Sequence, residues 1–160
     1  MANICLNFIQ AFGDAEAIDK LRKHLVTTNE VEVVHIDDTI DGELTFAVES
    51  KWSPPAEWVC EISEKFSGVL IECEYEECGS DIWGKFGFRD GVLLFTMELP
   101  YLEGKHKSMG WNEFIECEVF DRLDNADSLE DFIEDFYFCN EQEKAELVEI
   151  YREHVNLYMQ

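Results

Sequence analysis

Val69-Leu70-Ile71-Glu72-Cys73-Glu74-Tyr75-Glu76-Glu77-Cys78-Gly79 is the stretch that decides the fold. Ile71, Cys73 and Tyr75 alternate with Glu72, Glu74 and Glu76. Successive side chains of a strand point to opposite faces, so residues 69–76 predict a half-buried strand with one apolar and one acidic, wet face. Downstream, residues 82–88 and 92–99 predict a hairpin around Asp90-Gly91, a turn dipeptide that tolerates positive φ. Upstream, Ser53-Pro54-Pro55 predicts a helix start, with Ser53 as N-cap and Pro54 at the first helical position. That helix runs to about Phe66 and carries Trp58, Ile62 and Phe66 on one face. Before it, residues 31–36 and 43–48 predict two strands around Asp41-Gly42. Asp14 opens a helix bearing Ala17, Ile18, Leu21 and Leu25, and residues 3–10 predict the first strand.

The resulting order, strand–helix–strand–strand–helix–strand, is the ferredoxin-like plan, so the predicted class is α+β. Residues 1–100 form that domain. Residues 101–160 are expected to be a loop and an acidic helical extension packed on it. The loop, 100–110, holds Lys105, His106 and Lys107; helices follow near 111–124, 128–136 and 140–158. In the last of these, Val148, Tyr151, Val155 and Tyr158 make an apolar stripe beside acidic Glu143, Glu146, Glu149 and Glu153.

The acidity is extreme. Thirty-six acids against 12 Lys and Arg in 160 residues give a net charge of −24, where solubility of a small domain needs a magnitude of roughly 2–8. The chain is nonetheless 46% apolar, with 12 Phe, 5 Tyr and 4 Trp, a composition that builds a core and does not fit disorder. Such a field excludes nucleic acid and anionic membrane as direct ligands, since both are polyanions, and favours a basic protein partner. Residues 112–160 hold 15 of the acids and only 3 basic residues, so the charge is densest there. The amino-terminal residues lack the pattern of a signal peptide, and no apolar run approaches a membrane span. Six scattered cysteines then read as reduced core thiols, and the expected compartment is the cytoplasm.

Local motifs extend the fold reading to a family. Lys51-Trp52-Ser53-Pro54-Pro55 steps into a helix ending in Lys65-Phe66. After the alternating strand, with its Tyr75-Glu76-Glu77-Cys78-Gly79 end, comes Ile82-Trp83-Gly84-Lys85-Phe86. Over roughly residues 1–99 the chain resembles the YubB-type ferredoxin-like domain, a family of small proteins from phages, plasmids and bacteria. The Trp-Gly-Thr-Lys-Trp stretch usual before this region in that family is missing. The resemblance implies a mobile-element setting and no catalytic residues.

Chemistry-bearing patterns are weak. Asp37, Thr39, Asp41 and Gly42 imitate the front of a calcium loop, but Val48 stands where the bidentate acid belongs, so an acidic hairpin turn is the better reading. Cys73-x4-Cys78 lacks the paired spacing of structural zinc. No phosphate loop, G-x-S-x-G, HExxH or Cys/His nucleophile pair occurs. No metal, no cofactor and no enzymatic activity are expected, and nearly all the acids fall on outward faces.

What remains is a surface for a partner. Glu72, Glu74 and Glu76, the run Glu130, Asp131, Glu134 and Asp135, and the stripe Glu143, Glu146, Glu149 and Glu153 are the candidate contacts, with Trp83 and Trp111 as open aromatics. Helical steps of three or four residues space carboxylates about 4.5–6 Å apart, which imitates a nucleic-acid backbone. The expected function is therefore a nucleic-acid-mimicking inhibitor of a host defence complex, of the anti-CRISPR or anti-restriction type. The alternative is an immunity or antitoxin-like protein that neutralises a basic toxin.

Overall fold

The structure is a computed structural model that describes residues 4–37, 42–119, 133, 136 and 139–158, with backbone alone at 78, 111, 112, 116 and 154–158. The chain divides into two compact units, Met1–Tyr101 and Leu102–Gln160.

The first unit is built as the alternation predicts. Strands β1 (Ile4–Phe12), β2 (Glu32–Ile36), β3 (Glu43–Lys51) and β4 (Leu70–Glu77) are separated by helices α1 (Ala15–Thr27) and α2 (Ala56–Lys65) in the ferredoxin-like order. A hairpin, β5 (Ile82–Arg89) and β6 (Val92–Leu99), continues the sheet to six strands in the order β2-β3-β1-β4-β5-β6, every pairing antiparallel. Asp90 and Gly91 turn the hairpin at φ of 50° and 75°, the left-handed pair that suits a two-residue connection.

One face of the sheet meets the helices. Cys5, Ile9 and Ala11 of β1, Leu44, Phe46 and Val48 of β3, and Ile71, Cys73 and Tyr75 of β4 pack there with Ile18, Leu21 and Leu25 of α1 and Val59 and Ile62 of α2. Removing these side chains from water is the main stabilisation of the unit, at roughly 1.5–3 kcal/mol for each large one. Buried Asn7 is satisfied three ways: its Nδ2 donates to the carbonyls of Cys5 and Val48 and to Ser50 Oγ. The opposite face carries Ile4, Leu6 and Phe8, all exposed, with Gln10, Glu72, Glu74, Glu76 and Lys85.

Two local expectations are corrected. Ser53 does not cap α2: the helix begins after the second proline, with Pro55 at the cap position and no side-chain capping bond. A residue before proline is pushed out of the helical region, so neither Ser53 nor Pro54 can join the first turn. The backbone N–H groups of Ala56 and Val59 instead donate to the carbonyls of Pro54 and Pro55. The stretch read as a loop is helix α3 (Tyr101–Ser108). It starts directly after Pro100, where Asp81 Oδ1 accepts from the Tyr101 N–H at 3.0 Å, and an i,i+4 contact of Lys107 with Glu103 at 2.6 Å supports it.

In the second unit α4 (Trp111–Phe114) runs into a π-helical turn at Ile115–Val119, and α5 spans Glu141–Tyr158. Phe114, Ile115, Val119, Ile133, Phe136, Cys139 and Leu147 form its core. The apolar stripe of α5 is thus centred on Leu147, with Val148, Ile150 and Tyr151 half-buried beside it. The helix expected at 128–136 lies almost wholly outside the described residues.

Candidate acidic interaction surfaces

The alternation of β4 places Glu72, Glu74 and Glu76 together on the face away from the helices, as expected. They are not equivalent. Both oxygens of Glu74 are engaged: Lys85 Nζ lies 2.7 Å from Oε2, and Trp83 Nε1 donates to Oε1 at 2.9 Å. The Lys85 ammonium also sits 5.3 Å from the centroid of the Trp83 ring. Glu74 is therefore committed to the sheet, and with half-buried Glu72 it lines a small hollow of about 270 Å3 beside Phe8, Gln10, Thr45, Lys85 and Phe95.

Trp83 is not an open aromatic. The register Glu76↔Trp83 puts it on the acidic face, yet it is only 1% exposed. An indole saturated by Glu74 and covered to this degree has no surface left for a partner. Trp111 opens α4, and its side chain is outside the described residues. Among the described tryptophan side chains Trp52 is the open one, 60% exposed at a positive φ of 69°.

On α5 the stripe divides. Asn140 and Glu143 make a reciprocal cap: Asn140 Oδ1 accepts from the N–H groups of Gln142 and Glu143, and Glu143 Oε2 accepts from the Asn140 N–H at 2.8 Å. Glu143 thus holds a helix end, and its charge is favourable beside the positive end of the helix dipole. Glu146, Glu149 and Glu153 are exposed. Glu130, Asp131, Glu134 and Asp135 lie outside the described residues.

Two carboxylates depart from the expected outward placement. Glu77 continues the alternation onto the core face and is 5% exposed, and its Oε2 has no hydrogen-bond partner among the described residues. Glu118, 6% exposed, lies 3.9 Å from Lys105. Doublets such as Glu76-Glu77 contain one residue on each face of a strand, which is the signal that locates Glu77. Burial, with smaller contributions from Glu77 and Glu76, pushes the Cys5 thiol up to about 11. Burial likewise holds the Cys73 thiol well above its ordinary value. Both are inert core thiols, consistent with the reading of Cys73 as packing. Among the described residues no group of three or more His, Cys, Asp and Glu is placed to hold a metal ion. Asp38, Thr39 and Asp41 of the calcium-like stretch are not among them.

A groove of about 840 Å3 at one end of the sheet is lined by Glu30, Glu32, Glu49 and Glu57 together with Ile4, Val31, Lys51, Pro54, Pro55 and Trp58. Trp58 Nε1 donates to Glu30 Oε2 at 3.2 Å. These four acids come from a loop, two strands and a helix, so no sequence spacing announced them. A groove lined by apolar side chains and carboxylates together can accept the stem and the charged head of a lysine or arginine.

The fold and these surfaces define a small ferredoxin-like α+β protein with an uneven acidic skin. The family model for the ferredoxin-like domain in Api92-like protein matches residues 30–121, and the chain belongs to that family. No curated protein and no solved structure matches it. Among the described residues no helix is long and apolar enough to cross a membrane.

Proposed function

We propose that this chain is a non-enzymatic, cytoplasmic interaction protein of a mobile genetic element that mimics nucleic acid. It would fill the basic channel of a host defence complex of the CRISPR or restriction type. The observation that carries the reading is the fate of the few cations. Lys20, Lys23, Lys85 and Lys107 are tied to Glu16, Asp19, Glu74 and Glu103 at 2.6–2.7 Å. The excess of acids is thereby left to act outward, on Glu146, Glu149 and Glu153 of α5 and around the groove. The likeness to the YubB-type domain supplies the mobile-element setting. Association through such a surface is fast and weakens steeply with salt.

The groove favours a second reading, an immunity-type protein for a basic toxin. A compact hollow lined by four acids and an indole suits a few projecting cationic side chains better than a long channel does. Affinity capture of the tagged chain from host lysate, with washes at low and high salt, separates the two. A nuclease or effector subunit released by salt supports mimicry, and a single small basic toxin supports immunity. A partner held equally at both salts, or none, overturns both. With the captured partner, Glu146→Lys, Glu149→Lys and Glu153→Lys together weaken binding for the mimic, whereas Glu32→Lys with Glu49→Lys does so for the immunity protein.

A further inference from the structure

The sheet of the first unit ends at β6. Val92, Leu93, Leu94, Phe95 and Met97 are exposed by 59%, 48%, 52%, 41% and 42%. Among the described residues β6 pairs with β5 on one side alone, which leaves its outer row of N–H and C=O groups for another strand. Glu98 is its single charge, and its Oε2 accepts from the Tyr75 hydroxyl at 2.9 Å. The strand has no proline and no lysine.

We propose that β6 is a homodimer interface, pairing antiparallel with β6 of a second copy to make one continuous sheet. Charge selects this occupant. A basic partner is drawn to free carboxylates, whereas the one carboxylate of β6 is already bonded to Tyr75, and an apolar strip is matched by another apolar strip, which this chain itself carries. Register selects it too. The ladder to β5 shifts opposite Gly87 and Phe88, leaving Phe95–Leu99 as the regular run. A two-fold axis through Met97 then sets Met97 against Met97, Phe95 against Leu99 and Thr96 against Glu98. Apolar meets apolar on one face, and the two Glu98 carboxylates do not meet. In this register Phe95, Met97 and Leu99 face their counterparts, while Val92, Leu93 and Leu94 lie beyond the paired run. The pairing covers well under the ~800 Å2 per partner of a standard interface, so the dimer should be weak and reversible. Since each chain has one such edge, the assembly closes at two.

The inference is independent of the proposed function, and salt separates them. Two chains of net charge −24 repel, so screening strengthens this dimer, whereas it weakens any contact with a basic partner. The experiment is sedimentation equilibrium of the full chain across low to high micromolar concentrations, at low and high salt. A reversible dimer whose association constant rises with salt supports the proposal. A monomer throughout, an open-ended polymer, or a dimer weakened by salt overturns it. Met97→Lys sets two ammonium groups against each other on the axis and should weaken the dimer about tenfold or more, with the circular dichroism spectrum unchanged; undiminished association overturns the proposed interface. Should that variant fold poorly, Met97→Cys provides an independent reading. Mild oxidation should join residue 97 to residue 97 of the second copy, located by mass spectrometry of the peptides, and its absence in a folded variant overturns the register.

Discussion

The two edges of the sheet are managed in opposite ways. β2 is five residues long, carries Glu32, and ends in the contact of His35 Nε2 with Asp37 Oδ1 at 2.7 Å. β6 is eight residues long, with five exposed large apolar side chains and one charge already engaged. Both ladders contain an irregularity, between Val33 and His35 in one and between Gly87 and Phe88 in the other. A bulge alone therefore does not distinguish them; length and charge do. Short, charged edges resist pairing with other chains, and long neutral ones invite it. In a protein this acidic, an edge whose one carboxylate is already bonded is suited to a contact that does not rest on attraction between opposite charges.

The largest effect should come from disturbing the platform beneath β6. A Cβ at Gly84 would stand 2.3 Å from the Tyr75 ring and 2.7 Å from the Met97 carbonyl oxygen. Neither can retreat: the ring is in the core and the carbonyl belongs to β6. Gly84→Ala should cost about 3 kcal/mol by overpacking, read as a lowered urea midpoint. Val34→Ala on exposed β2 should stay within about 0.5 kcal/mol. Equal losses would mean that the two edges are equally well fastened.

The next test exchanges the character of the edges. Glu32→Val with His35→Val removes the carboxylate and the imidazole of β2 and should convert closed dimers into concentration-dependent higher assemblies, since each chain then has two adhesive edges. Light scattering that still reports a species no larger than a dimer would show that the shortness of β2, and not its charge, protects it.

How much of this asymmetry was legible in the sequence follows from what each pattern encodes. The alternation of Ile71, Cys73 and Tyr75 with Glu72, Glu74 and Glu76 encodes a face directly, because a strand has a period of two. Asp90-Gly91 encodes a turn through its backbone preference. Trp83 was misread because alternation says which face a side chain occupies and nothing of what covers that face. The groove acids Glu30, Glu32, Glu49 and Glu57 were invisible because tertiary folding alone brings them together. Helix α3 was hidden by Pro100, Gly104 and Gly110, which punctuate it as a loop would, although Glu103 and Lys107 stand at helical spacing. The openness of β6 was missed for a related reason: residues 92–99 read as a strand, and whether a strand is central or marginal depends on the topology.

A smaller effect tests why the one acid of β6 does not spoil it. Burial first, and the bond to Glu98 second, hold the Tyr75 phenol well above its ordinary value, so it stays a donor. Tyr75→Phe removes that donor and should cost about 1 kcal/mol. It should also weaken dimerisation, because Glu98 then seeks water at the edge. A variant that loses stability but dimerises as before would separate the bond from the interface.

The smallest effect concerns the turn that presents β6. Asp90 Oδ1 accepts from the Gly68 N–H at 2.8 Å and from the Ser67 hydroxyl at 2.9 Å, tying the hairpin to the end of α2. The Gly68 bond chiefly, with Ser67 second, holds the Asp90 carboxyl below its ordinary value of 3.8. The unfolded chain thus takes up the proton first. The stabilisation is complete above pH 3.8 and is lost as pH falls through the lower value of the folded state. Asp90→Asn keeps an acceptor and a residue suited to the turn while deleting the charge. At neutral pH the native chain should therefore be slightly the more stable in urea, and the difference should close at strongly acid pH. A difference that stays constant from neutral pH down would mean that the turn, and not the carboxylate, secures β6. On the β2 side Val34→Ala leaves the contact of His35 with Asp37 in place, so the same acidification should leave that variant and its parent separated by an unchanged margin.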